Sequence, residues 1–257
     1  MLNVKQLTQL EGDVIFQQTL DNKTLKVFEN ASYRWFTFGG GIVQAVMEKT
    51  QVHRSILAVP QALLIFLLWH ENTKHILNLG LGAGGLERTL SHYRAFNITS
   101  IEQHPEIVTM AKQYFSLPDN VLSITDSAQS YLAKTLGNFD TIICDIYQNE
   151  LSPEALFSKS FYQNISKNLS DTGCAIISIN IDSKQQLTTL LITLQLLELH
   201  IMLHDFTDYK NILIIISKRQ LPNREELMAL NKKKLAPLAI DFAPYIERMH
   251  FIPSSVP

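Results

Sequence analysis

ILNLGLGAGGLERTL, residues 76–90, carries more structural information than any other stretch of the chain. Gly80, Gly82 and Gly85 satisfy G-x-G-x-x-G, and Gly84 adds a fourth glycine. The apolar run 75–80 before them reads as a strand, and 84–94, with Leu86, Glu87, Arg88 and Leu90, as a helix. Strand, glycine turn and helix in that order are the context in which the motif has meaning. A side chain at these positions would block a ligand from the backbone, and free amides at a helix N-terminus attract polar or anionic groups. A tight strand–helix turn alone can also want two glycines.

Working outward, strands and helices alternate downstream. Residues 98–102, 121–125, 139–145 and 174–180 read as strands, as do the apolar runs 201–206 and 211–217. Between them, 105–115 reads as a helix opened by Pro105, 127–136 as a short helix, 153–169 as one helix from Pro153, and 184–199 as a strongly apolar helix. Residues 171–173 read as a turn. Several strands are apolar throughout rather than alternating, which marks a sheet covered on both faces. The expected class is α/β, a doubly wound and mostly parallel sheet of about seven strands. Upstream, residues 53–70 read as one buried helix, and β-branched and aromatic runs between 12 and 45 as a small antiparallel hairpin or meander closed by Gly39, Gly40 and Gly41. This divides the chain into a β-domain (1–52), a Rossmann-like nucleoside-binding domain (53–220) and a more polar extension packed on it (221–257), which includes Lys232, Lys233 and Lys234.

Composition narrows the function. Of 257 residues 46% are hydrophobic and 18% charged, which excludes intrinsic disorder. A net charge of −2 gives no field to draw in nucleic acid or an anionic membrane. The longest apolar run, 56–69, has 14 residues broken by Pro60 and Gln61, against the ~20 a spanning helix needs. The N-terminus carries no secretory pattern, so a cytoplasmic protein is expected. Cys144 and Cys174 read as reduced core residues. Neither H-E-x-x-H nor G-x-S-x-G occurs, and no metal is expected. Aromatics 28–38 read as core rather than a base-stacking platform.

Three acids follow successive strands. Glu102, 20 residues after Gly82, is placed to bind both hydroxyls of a ribose, unless it is merely an exposed strand-end acid. Asp126 can accept from an exocyclic amine such as adenine presents, and equally can N-cap the following helix. Asp145 ends its strand where ligands of such sheets bind, with Tyr147 and Gln148 on the same loop; a loop-capping role is equally compatible. A dinucleotide would lay its pyrophosphate on the helix N-terminus. An S-adenosyl ligand would lay an amino-acid-type tail over the glycines. The order of the acids favours the second.

The chain resembles the polyamine aminopropyltransferases, the spermidine synthase family, from about residue 12 to 180. The family's G-V-V-Q stretch is Gly41-Ile42-Val43-Gln44 here, and GLGAGG (80–85) is similar to its glycine loop. The segment 158–177 is similar to the one after the family's catalytic aspartate. The resemblance implies a small N-terminal β-domain before a methyltransferase-like Rossmann domain, paired as a homodimer through the β-domains. It implies Glu102 at the ribose, Asp126 at the adenine and Asp145 as the base on the attacking amine, with a small-molecule amine acceptor. The donor is S-adenosylmethionine or its decarboxylated form. Three departures matter. Ala83 stands where the family has an aspartate for the donor's terminal amine, and Gln148 where a second aspartate binds the diamine. His53, Arg54 and Ser55 replace a Tyr-His-Glu run at the substrate site. Burying a diamine's charge without an opposite charge is costly. Three readings follow: an aminopropyl-type transferase with altered acceptor recognition, an S-adenosylmethionine-dependent methyltransferase whose Arg54 meets a carboxylate, or a non-catalytic thionucleoside-binding protein.

Overall fold

A computed structural model describes residues 2–20, 23–146, 152–232 and 238–253. A short helix, α1 (Val4–Thr8), opens with a capping box between Asn3 and Gln6. Four strands then form an antiparallel meander in sequence order: β1 (Asp13–Leu20), β2 (Lys23–Glu29), β3 (Tyr33–Phe38) and β4 (Val43–Glu48). Alternation puts Leu25, Val27, Phe36 and Met47 on one face, packed against Ala83 of the glycine turn and Ile107, Met110 and Phe115. Trp35 and Val46 face the other way, against Ile56, with Phe28 stacked on Trp35. The aromatics of this segment are therefore core.

Residues 53–70 are not one helix. Helix α2 (Ala58–Leu63) is followed by a 3-10 turn over Ile65–Leu68, and the chain before Ala58 is not helical. The cause is Pro60, which tolerates the first turn of a helix but not its interior, so the helix starts late. The alternation then runs β5 (His75–Leu79), α3 (Gly85–Tyr93), β6 (Asn97–Glu102), α4 (Pro105–Tyr114, Pro105 in its first turn), β7 (Leu122–Thr125), α5 (Ala128–Lys134) and β8 (Phe139–Cys144). The expected helix 153–169 is also divided. A 3-10 turn spans Glu154–Phe157, and Ser158 caps a separate helix, α6 (Lys159–Asn168), by accepting from the Phe161 amide.

Strand β9 (Leu169–Asn180) passes through 171–173, where a turn was expected. The extra residues are absorbed as a bulge: Phe139 pairs with Leu169, but Thr141 pairs with Cys174. Helix α7 (Lys184–Gln195) stops before 199, with Glu198 at φ +56°. Strands β10 (His200–Asp205) and β11 (Asn211–Ser217) form a hairpin. The polar tail gives α8 (Arg224–Asn231), α9 (Ala243–Glu247) and an eighth strand, β12 (Met249–Ile252), one more than expected. Leu227, Phe242 and Ile246 join the main core.

The large sheet runs β12-β10-β11-β9-β8-β5-β6-β7. Strands β9, β8, β5, β6 and β7 are mutually parallel, and β11 is antiparallel to both neighbours. Separate apolar cores cover its two faces. From β5 the chain steps to β6 on one side and reaches β8 on the other. That reversal puts the switch point of the sheet at the carboxyl ends of β5 and β8, where sheets of this kind bind ligands.

Candidate functional site

The candidate site is built on the ends of four strands, tied by backbone hydrogen bonds. The Gly80 amide donates to Ile101 O at 2.9 Å, the Asp145 amide to Leu79 O at 3.0 Å, and the Asp126 amide to Glu102 O at 3.2 Å. Glu102, Gly80 and Asp145 thus stand side by side at the ends of β6, β5 and β8, with Asp126 one strand beyond Glu102.

Gly80, Gly82 and Gly84 all take positive φ, which only glycine adopts freely. Gly80 (φ +98°) has no room for a side chain: a Cβ there would lie 2.6 Å from Asp145 O and 2.7 Å from Ile146 Cγ2. Gly82 (φ +54°) has nothing within 4 Å of its Cβ position and faces open space. One glycine lets the β8 loop close against the turn, and the other leaves the backbone bare. Gly84 is the N-cap of α3 and Gly85 its first residue.

Glu102 is nearly buried, at 9% exposure, and its Oε1 accepts from the His104 amide at 3.0 Å. Phe38 of the meander lies edge-on to the His104 ring at 5.6 Å, so the small sheet walls this end. Asp126 does not cap α5. Ser127 does, accepting from the Ser130 amide, because the hydroxyl one residue later reaches the first turn. Asp126 Oδ1 accepts from the Ser127 amide at 2.8 Å, and Oδ2 lies 3.7 Å from Lys134 Nζ. Desolvation works to raise its pKa, but hydrogen bonds from Ser130 and the Ser127 amide and the Lys134 charge outweigh it and hold the carboxyl below its usual range. Asp145 is half-buried. Tyr147 and Gln148 lie outside the described residues.

The other expected residues lie on the meander, on the segment that leaves it and in the glycine turn. Gln44 is the extra residue of a β-bulge, since Phe36 pairs with Ala45 and Thr37 with Val43; it is exposed and donates to Ile42 O at 3.4 Å. His53 is held by α3: its carbonyl accepts from Thr89 Oγ1 at 2.7 Å, and its ring stacks on His92 at 3.5 Å. Desolvation, then the neighbouring His92, lowers its pKa. Arg54 is exposed and pairs with Glu48 at 3.3 Å. Ala83 is buried at 2% exposure against the meander. His200 and His204, spaced H-x-x-x-H, sit on a strand, which spreads them by ~13 Å. No group of three or more metal-ligating side chains occurs among the described residues, and none of their helices is long and apolar enough to cross a membrane.

Residues beneath the turn went unnoticed in the sequence. Asn78, Ser100 and Glu87 form a buried polar cluster. Arg88, 5% exposed, donates to Val52 O at 2.7 Å, to Phe115 O at 2.6 Å and to Ala83 O. One guanidinium thereby joins the segment leaving the meander, the glycine turn and the end of α4. The available signal was a polar residue inside an apolar strand run (Asn78) and adjacent charges beside Leu86 on a helix that must bury one face.

Known proteins resemble the chain in both sequence and fold. The spermine/spermidine synthase domain matches residues 49–193. A polyamine aminopropyltransferase of Chromobacterium violaceum is 25% identical over 153 residues, covering 58% of this chain and 59% of its own length. One of Sodalis glossinidius is 28% identical over 184 residues, covering 68% and 62%. The chain therefore spans about three-fifths of the length of these curated relatives. A probable spermidine synthase of Corynebacterium glutamicum superposes with a TM-score of 0.77 at 14% identity, covering 95% of this chain and 92% of that one. A spermidine synthase in complex with the transition-state analogue AdoDATO gives 0.62 at 20% identity, covering 88% and 85%. Human methyltransferase-like protein 13 in complex with SAH gives 0.57 at 19%, covering 77% and 94%.

Proposed function

The chain belongs to the spermine/spermidine synthase domain family, and on that premise we propose that it is a spermidine synthase-like transferase. It binds an S-adenosylmethionine-type donor, decarboxylated or not, and alkylates a small amine. The observation that carries this reading is the row of strand ends that sets nearly buried Glu102 and half-buried Asp145 on either side of the glycine turn, with the Gly82 backbone bare.

The residues fit a thionucleoside. Among the described residues Glu102 accepts one hydrogen bond, through Oε1; Oε2 then receives the ribose hydroxyls. Asp126, held ionised, receives the adenine amine. The bound sulfonium makes the carbon next to sulfur electrophilic. Asp145 Oδ takes the proton of the attacking amine as the C–N bond forms, and the C–S electron pair leaves with sulfur as a neutral thioether. Holding both reactants in line supplies much of the rate. The apolar Val14 and Ile15 exposed on edge strand β1 support pairing through the meander, and a cytoplasmic site of action is part of the proposal.

A second reading rests on Ala83. Its side chain is packed against the meander, and no carboxylate there selects a cationic donor tail, as suits a methyltransferase using the carboxylated donor. Calorimetry with S-adenosylmethionine, its decarboxylated form and methylthioadenosine, followed by turnover of an amine panel, separates the readings. Tighter binding of the decarboxylated donor with amine turnover supports the first reading, and preference for the carboxylated donor supports the second. Binding without turnover leaves a thionucleoside-binding protein. Under the first reading Asp145→Asn abolishes turnover with donor affinity near wild type; unchanged turnover removes Asp145 as the base.

A further inference from the structure

Directly behind the glycine turn lies a titratable group that the proposed chemistry does not use. Glu87, on α3, is completely buried. Its partners come from adjacent strands: Asn78 on β5 and Ser100 on β6 are paired residues of the parallel ladder, on the same face of the sheet. Glu87 Oε1 accepts from Asn78 Nδ2 at 2.6 Å and from Ser100 Oγ at 2.7 Å. Asn78 Nδ2 spends its second hydrogen on Gly80 O, at 3.0 Å. That bond fixes the amide's orientation, because a flipped Asn78 would set oxygen against oxygen. Glu102 stands two residues beyond Ser100 on the same strand face.

Two atoms of this cluster are buried without a hydrogen-bond partner, Asn78 Oδ1 and Glu87 Oε2. Leaving buried polar atoms unpaired is destabilising, because each has given up water for nothing. Both are acceptors if Glu87 is ionised, so neither satisfies the other. A carboxylic acid resolves this. Its carbonyl oxygen accepts, as Oε1 does twice, and its hydroxyl supplies the missing donor. An amide and an acid facing each other then share two hydrogen bonds, and the two unpaired atoms are the ones the second bond needs. Burial also raises the carboxyl's pKa, more than Ser100, Asn78, its own backbone amide and the adjoining Arg88 lower it.

We propose that Glu87 is a positioning residue carried as the neutral acid, its Oε2 hydroxyl donating to Asn78 Oδ1, so that the amide–acid pair clamps the Gly80 carbonyl and holds the turn that receives the nucleoside. The protonation of Glu87 stands independently of the proposed function; its consequence for ligand binding rests on that function. Without the clamp the Gly80–Gly85 turn must be ordered each time a donor binds, which weakens binding and leaves the later chemical step alone.

The test compares Glu87→Gln, whose amide both accepts and donates as the neutral acid does, with Glu87→Leu, which does neither. Three measurements apply. Infrared difference spectra of wild type against Glu87→Gln at pH 7 show the loss of a protonated carboxyl C=O band. Amide exchange at Gly82–Gly85 speeds up at least fivefold in Glu87→Leu and less than twofold in Glu87→Gln. Methylthioadenosine binding weakens about tenfold in Glu87→Leu and under twofold in Glu87→Gln, while kcat at saturating donor stays within threefold. An ionised carboxylate band in wild type, or equal damage from the two substitutions, overturns the proposal. If methylthioadenosine does not bind wild type, the nucleoside reading fails instead, and the infrared and exchange results still decide the clamp.

Discussion

Gly80 and Gly82 share a left-handed backbone yet answer to different demands, and substituting each separates stability from binding. A methyl group on Gly80 strikes Asp145 O and Ile146, so Gly80→Ala is expected to cost about 2–4 kcal/mol, from strained φ plus overpacking, read as a lowered urea midpoint. Gly82→Ala meets open space and costs only the backbone strain, about 1–2 kcal/mol, yet under the proposed function it puts a methyl group in the nucleoside's path, so affinity for methylthioadenosine is expected to fall at least tenfold. Equal effects on both properties at both positions would dissolve the distinction. The glycines and the acids after successive strands could be read from the chain because both signals are local, a spacing and a strand end. The Asn78–Glu87–Ser100 cluster was legible only in part: Asn78 interrupts an apolar strand run, but a glutamate on a helix ordinarily reads as solvent-facing, and the fold shows this one enclosed.

Elements meet at Arg88. Burial brings its pKa down to about 10, so it remains charged at neutral pH, and its carbonyl partners come from three segments distant in sequence. Arg88→Ala strands those buried carbonyls. It is expected to cost about 3–5 kcal/mol and to speed amide exchange in Lys23–Phe38 of the meander before the central strands. Uniform exchange across both sheets would show that Arg88 does not couple them. Period and propensity revealed the strand–helix alternation here, because buried parallel strands are continuous apolar runs. They failed where one residue's backbone chemistry decided the outcome. Pro60 delayed α2, Ser158 capped and so split a predicted helix, and the bulge at 171–173 let a predicted turn continue as β9. Strand β12 escaped notice because four residues in a polar tail become a strand only when the edge of β10 is there to pair with.

On the scale of the whole molecule, stability should fall in acid through His204. This ring is 2% exposed, its Nδ1 lies 3.0 Å from Tyr245 O, and its Nε2 is buried without a partner. Desolvation brings its pKa from 6.5 to about 4. Between those values the unfolded chain binds more protons than the folded one, so stability rises with pH across that window and is lost as pH falls from 6.5 to 4. The loss is on the order of 3 kcal/mol. Urea midpoints at pH 7 and pH 4.5 should differ in wild type and converge in His204→Asn; an unchanged slope would acquit this histidine. The cysteines behave as the composition suggested, as core residues: burial pushes the Cys174 thiol up to about 12 and the Cys144 thiol higher still, so neither should react with a thiol reagent at pH 8 in the folded protein. The proposed function requires a thionucleoside lying over the glycine turn with its sugar held at the end of β6. A crystal structure of the protein with methylthioadenosine decides the matter. The expected result is ribose hydroxyls within 3.2 Å of the Glu102 carboxylate and the adenine toward Asp126. An empty site in crystals grown at saturating nucleoside, or the ligand bound away from Gly82 and Glu102, would contradict it.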